Sequence, residues 1–314
     1  MRVLRTEYVR CAFRRNYGSL SIDGPLSETS RWRAIVRVLR SPLDALGSAL
    51  LPASCILCGS PLPRLSSVPI CDACWTEIPA ESGDLCQRCG DTLDAPSVEG
   101  IVELCRACRL SPPAFARAVS FGTYDGRLRE AIHALKYDRM HPAARKLGAM
   151  LAETIAQLLP DAPAEMLVVP VPLHRTKQQQ RGFNQARALA QGAIEALRHT
   201  HPEWRLTLAP STLMRLRATE TQAGLTPNQR RKNVRGAFKV TEPGVVRGRN
   251  VLLVDDILTT GATARAAAQS LMKAGAASVY VATLARARRL NINISPRHTF
   301  ADMQSSSSSH QPAS

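Results

Sequence analysis

Aromatic side chains are scarce: Phe, Tyr and Trp make up 4% of the 314 residues, a poor endowment for stacking on nucleobases. Long apolar runs are missing too, since none approaches the roughly 18–20 residues a membrane-spanning helix needs. A soluble protein with no membrane span is expected. Acidic residues are in deficit, 25 Asp and Glu against 41 Lys and Arg, leaving a formal charge of +16 and a pI near 10.1. That balance favours anionic partners, nucleic acid or a phosphorylated small molecule, without saying which. Neither GxxxxGK[ST] nor GxGxxG occurs, so no Walker loop or dinucleotide fingerprint is present. At the N-terminus Arg10, Arg14 and Arg15 interrupt any apolar stretch, so no secretory signal is read. Glu7, Asp23 and Glu28 weigh against a transit peptide, and a cytoplasmic location is expected.

Composition divides the chain. Residues 1–50 form a basic extension: turn formers Gly18, Gly24 and Pro25 come first, then apolar Trp32, Ile35, Val36, Leu39, Leu43 and Leu46 at spacings of three or four. The second part predicts an amphipathic helix interrupted near Pro42. Residues 289–314 turn polar and carry the serine run Ser305 to Ser309, a tail expected to be disordered. Between them lie a cysteine-rich segment, 51–112, and a longer segment, 113–288, in which helical and strand patterns alternate. Helices are predicted over 127–137, 143–159, 184–197 and 263–274, and strands over 119–123, 167–170, 251–254 and 279–284. Alternation with short, continuous apolar strands predicts an α/β fold, a parallel sheet covered by helices, with ligands at the C-terminal strand ends.

Eight of the nine cysteines fall in four CxxC pairs, Cys55/Cys58, Cys71/Cys74, Cys86/Cys89 and Cys105/Cys108, and Cys11 stands apart as a bystander. Each CxxC turn offers two thiolates to one tetrahedral ion, so four pairs make two closed four-sulfur sites. Regular CxxC units without a secretory signal favour metal over disulfides. Zinc is the expected occupant, iron using the same ligand set. Four sulfurs leave no open coordination position, so the role is structural. Sequential pairing groups Cys55, Cys58, Cys71, Cys74 and Cys86, Cys89, Cys105, Cys108; a cross-braced arrangement uses the same residues.

The stretch Val251 to Thr263, VLLVDDILTTGAT, joins a buried strand, two carboxylates, a Thr/Gly loop and the start of an alanine-rich helix. Small residues leading into a helix offer amides, hydroxyls and the positive helix end to a phosphate. Adjacent carboxylates suit a ribose diol. An acidic pair ending a strand also occurs in metal-binding receiver domains, but the TTGAT continuation resembles the signature of type I phosphoribosyltransferases. That resemblance implies that Asp255 and Asp256 hold the ribose hydroxyls of phosphoribosyl pyrophosphate, while Thr259, Thr260, Gly261, Ala262 and Thr263 cradle its 5-phosphate.

Further stretches narrow the resemblance: YDGRLREAIHALKY at 124–137, VPVPLHRTKQQQRGFNQARAL at 169–189 and TETQAGLTPNQRRKNVRGAF at 219–238. With the cysteine module, these are similar to the ComF family of competence-associated, phosphoribosyltransferase-like proteins with an N-terminal double zinc ribbon, over roughly residues 50–288. The family implies a type I phosphoribosyltransferase fold behind a zinc-ribbon module with four cysteines per metal. It also implies phosphoribosyl pyrophosphate with Mg2+ as ligand, structural Zn2+, and single-stranded DNA or competence-machinery proteins as partners. By the same analogy Val171 to Arg175 lies near the pyrophosphate, with Arg175 and Arg217 as catalytic candidates. Arg181, Gly182, Asn184 and Gln185 follow at the start of a helix, where Asn184 and Gln185 read equally as a helix cap. Thr219, Thr221 and Gln222 fall in a segment resembling a mobile catalytic loop. Its other cations, Arg230, Arg231 and Lys232, read as a solvated helix face. Lys136 and Tyr137 are compatible with site or surface.

Overall fold

A computed structural model describes residues 53–62, 67–93, 103–137, 142–158, 161–217 and 236–288, all within one compact unit. The expected helix over 32–51, Cys11, the serine tail, Thr219, Thr221, Gln222 and the cations at 230–232 lie outside the described residues.

Five parallel strands build the sheet: β1 (Arg117–Thr123), β2 (Glu165–Pro170), β3 (Arg205–Leu208), β6 (Asn250–Leu258) and β7 (Ser278–Arg286), in the order β1-β7-β6-β2-β3. A separate two-stranded antiparallel sheet pairs β4 (Leu213–Arg215) with β5 (Phe238–Val240). The central strands bury both faces, which requires near-continuous apolar sequence. On one side Val168, Leu252, Val254 and Ala282 join a cluster with Leu128, Ile132 and Leu135 of α3 (Gly126–Tyr137), Leu147 and Leu151 of α4 (Ala143–Ala156) and Leu189 of α6 (Gln185–Thr200). On the other side Leu167, Val169, Leu253 and Val281 meet Ala264, Ala267, Ala268 and Leu271 of α8 (Ala262–Lys273).

Between residues 113 and 288 the four expected helices and four expected strands form, with shifted ends. β6 runs on through Asp255 and Asp256 to Leu258, because β7 pairs with it that far, up to Leu258 opposite Arg286. Acidic residues are poor strand formers, so local pattern ends the strand too early. Not anticipated were α5 (Arg175–Arg181), β3, the β4–β5 pair and α7 (Pro243–Val246). α5 has no buried residue, so it carries no apolar period to read.

Among its described residues the cysteine segment contributes two short helices, α1 (Asp72–Thr76) and α2 (Arg106–Leu110). Its packing crosses the boundary drawn near residue 112. Cys55, Ile70, Cys74, Trp75 and Ile78 belong to the cluster on the α4 side of the sheet. Cys86, Cys89, Cys108 and Phe115 belong to the cluster on the α8 side. Among the described residues no helix is long and apolar enough to cross a membrane.

Candidate functional site

The strand order locates a crevice. From β2 the chain moves outward to β3, then returns to β6 on the other side of β2. Loops leaving the C-terminal ends of β2 and β6 therefore diverge, and the gap between them is where open α/β sheets bind ligands. A cleft of about 230 Å³ lies there, lined by Val171, Pro172 and Leu173 after β2 and by Thr259, Gly261, Ala262 and Thr263 after β6. Lys136, Lys177, Arg181 and Arg215 line it as cations, Asp255 and Asp256 as carboxylates.

The turn from β6 into α8 is shaped by backbone. Gly261 caps α8 at φ 73, and no side chain caps the helix. That φ is left-handed, strained for any residue with a Cβ. The uncapped helix start presents amide donors and positive dipole to the cleft. Thr260 does not line the cleft; its hydroxyl is buried, with no hydrogen-bond partner among the described residues.

Lys136, in the last turn of α3, reaches the far edge of the acidic pair, its Nζ 2.7 Å from Asp256 Oδ2. Both side chains are largely buried, 13% and 16% exposed. Asp255 Oδ1 accepts from the Asp256 amide at 2.9 Å. Burial, and then the charge of Asp256, push the Asp255 carboxyl up to about 8, against the opposing pull of that amide, Lys136 and Arg215. Across the cleft burial lowers Arg215, opposed by Asp255. Lys177 is lowered by burial and then by Arg215, Arg181 and Lys136, as befits a cation crowded by cations.

Asn184 serves as cap and as tether: its Oδ1 accepts from the Arg187 amide at 3.3 Å and its Nδ2 donates to Val171 O at 3.1 Å, joining α6 to the β2 loop. Gln185 is 1% exposed, lines the cleft, and its Nε2 has no hydrogen-bond partner among the described residues. A buried amide left without an acceptor costs free energy unless a ligand supplies one.

The catalytic candidates sit differently. Arg175 is the exposed first residue of α5 and Arg217 is exposed just beyond β4; neither lines the cleft, whereas Lys177 and Arg215, each two residues away, do. Sequence reading missed both. For Lys136 a signal existed, because it lies four residues after buried Ile132, on the inward face of α3. Arg215 shows none beyond its place in a three-residue strand.

The cysteines group sequentially, Cys55, Cys58, Cys71 and Cys74 in one cluster and Cys86, Cys89, Cys105 and Cys108 in the other, with sulfurs in each within 4.8 Å of one another. Sulfur pairs stand 3.8 Å apart at Cys55–Cys74 and 3.7 Å at Cys58–Cys71 and Cys89–Cys105. A disulfide needs about 2.05 Å. A tetrahedral shell with zinc–sulfur bonds of about 2.3 Å has edges of about 3.8 Å, so the thiols are spaced for zinc. Burial pushes the Cys55 thiol up, but amides of Cys71, Leu57 and Cys58 outweigh it and bring it down to about 6. These clusters fit structural zinc, with all four positions taken by protein.

A parallel sheet with a small-residue loop leading from a central strand into a helix, behind two four-thiol knuckles, defines a phosphoribosyltransferase-type protein with a double zinc ribbon. Family models agree on both parts: a double zinc ribbon domain matches residues 46–109 and a phosphoribosyl transferase domain residues 146–307. Among relatives, the DNA utilization protein YhgH of Salmonella typhi is 34% identical over 238 residues, 75% of this chain and 98% of that protein. Competence protein F of Haemophilus influenzae is 30% identical over 241 residues, 74% of this chain and 96% of that one. The chain belongs to the ComF family. Among solved structures, an allosteric regulatory enzyme of purine biosynthesis is 26% identical, covering 46% of this chain and 26% of that one at a TM-score of 0.29.

Proposed function

We propose that the cleft binds phosphoribosyl pyrophosphate with Mg2+ and that the protein acts in DNA handling. The observation that carries this reading is the juxtaposition of an uncapped helix start, an acidic pair and a group of cations around one cleft at the sheet's switch point. Thr259, Gly261, Ala262 and Thr263, which line the cleft, hold the 5-phosphate, and Asp255 and Asp256 accept from the ribose hydroxyls. Lys177, Arg181 and Arg215 meet the pyrophosphate, and Arg175 and Arg217, each two residues from a lining cation, are the further catalytic candidates. Magnesium supplies additional positive charge to the pyrophosphate oxygens when bound. In a transfer reaction the bond from the anomeric carbon to pyrophosphate breaks, the electron pair leaves with pyrophosphate, and an acceptor's lone pair forms the new bond. Fixed cations around the leaving group stabilise that charge without a general base. The names of the relatives, DNA utilization protein and competence protein, support a setting in DNA uptake or use.

Calorimetric titration of phosphoribosyl pyrophosphate with magnesium into the wild type and a folded Asp255→Asn/Asp256→Asn variant tests the pocket. Binding by the wild type and not by the variant is expected. No binding by either removes the transferase reading.

A second reading, a single-stranded DNA-binding protein with a regulatory or vestigial pocket, draws on the charge of +16 and on the same names. With aromatics at 4%, such binding rests on phosphate contacts and weakens steeply with salt.

A further inference from the structure

The second thiol cluster meets the phosphate loop at both of its ends. Arg286, the last residue of β7, is 5% exposed and turned into the knuckle. Its Nε donates to Asp91 Oδ1 at 3.1 Å, its Nη1 to the Cys89 carbonyl at 2.6 Å, and its Nη2 lies 3.7 Å from Cys89 Sγ. Asp91 is itself 7% exposed. Zinc held by four thiolates is a dianion, and Arg286 is the buried cation set against it.

The same residue is part of the phosphate-loop scaffold. Arg286 stands opposite Leu258 in the β6–β7 ladder, and the next amide, of Ala287, donates to Leu258 O at 3.0 Å. Leu258 immediately precedes Thr259, is 3% exposed, and packs in one cluster with Cys86, Cys89 and Cys108. At the loop's far end Arg265, in the first turn of α8, donates from Nη1 to Ser111 O at 2.8 Å, directly after α2, whose N-cap is Cys105. The first cluster meets the domain elsewhere: Lys146 of α4 pairs with Asp72 at 3.0 Å and lies 5.3 Å over the Trp75 ring.

We infer that Arg286 is a positioning residue for the second zinc site and joins that site to the phosphate loop, so that the loop's order depends on metal in the second site and not in the first. Removing the guanidinium leaves Asp91 and the thiolates buried without their cation. Outer partners of metal ligands typically change affinity by about 10–100-fold.

The test uses the full chain and no phosphorylated ligand, so its outcome is separable from that of the proposed function. Wild type, Arg286→Met, Arg286→Lys, Cys58→Ser and Cys105→Ser are exposed to a chelator. Zinc per chain is followed by elemental analysis and amide exchange at residues 259–265 by mass spectrometry. Arg286→Met is expected to release one of its two zinc ions about tenfold faster than wild type or more. Exchange at 259–265 should accelerate in Arg286→Met and Cys105→Ser and stay at the wild-type rate in Cys58→Ser. Arg286→Lys keeps the charge and loses the planar fork; should the methionine variant not fold, faster release of one zinc from the lysine variant supports the assignment. Wild-type release from the Arg286 variant that folds overturns it, as does equal loop deprotection by Cys58→Ser and Cys105→Ser.

Discussion

Asp255 and its neighbours set the behaviour of the cleft at the residue scale. Its carboxyl titrates at about 8 in the folded protein and near 3.9 in an unfolded chain. Between those values the folded state binds a proton that the unfolded state does not, so stability from this group falls as pH rises from about 4 to about 8. The urea midpoint of the ligand-free protein should decline across that window, and Asp255→Asn should flatten this component. If the ribose hydroxyls need an ionised acceptor, ligand binding near neutral pH releases a proton, which calorimetry in buffers of different ionisation enthalpy would reveal. Lys136→Met tests the pair opposite. Asp256 then keeps its burial and loses its cation, with an expected cost of about 1–3 kcal/mol in urea unfolding, between the limits for exposed and fully buried pairs. Residue identity announced the acidic pair, but only its surroundings raise Asp255 and bring Lys136 to Asp256.

Elements were legible in proportion to their apolar periodicity. α3, α4, α6 and α8 each present a regular inward face and were expected within a few residues of their ends. β3, with only every second residue even partly buried, and α5, with none buried, offered no such pattern. How closely elements approach was not legible at all. α4 and α6 cross where a Cβ on Gly148 would lie 2.7 Å from the Gly192 backbone, and one on Gly192 2.8 Å from Ala144 O. Backbone cannot retreat as a flexible side chain can, so Gly148→Ala should lower stability by about 1–3 kcal/mol, read as a fall in the urea midpoint with unchanged zinc content.

For the whole molecule, the zinc module and the sheet share hydrophobic clusters on both faces. Metal removal should therefore act on the common core. A chelator is expected to shift one cooperative thermal transition downward; a small early transition followed by an unchanged main one would show the module unfolding by itself. At the same scale, titration of a single-stranded oligonucleotide at two salt concentrations tests the second reading. A charge-driven site loses affinity steeply with salt, and absence of binding at low salt removes that reading.

The sequence by itself determined the patterns that reside in short spacings: paired thiols spaced for metal, and carboxylates followed by a small-residue turn and a helix, the arrangement proposed above to take a phosphorylated sugar. Those functions need neighbouring residues, so local order suffices to write them. Only the tertiary structure decided which cations share the cleft, that Lys136 meets Asp256 across 120 residues, and that Arg286 meets the second thiol cluster. Strand order sets these approaches, and it is chosen by the packing of two apolar faces far apart in the chain.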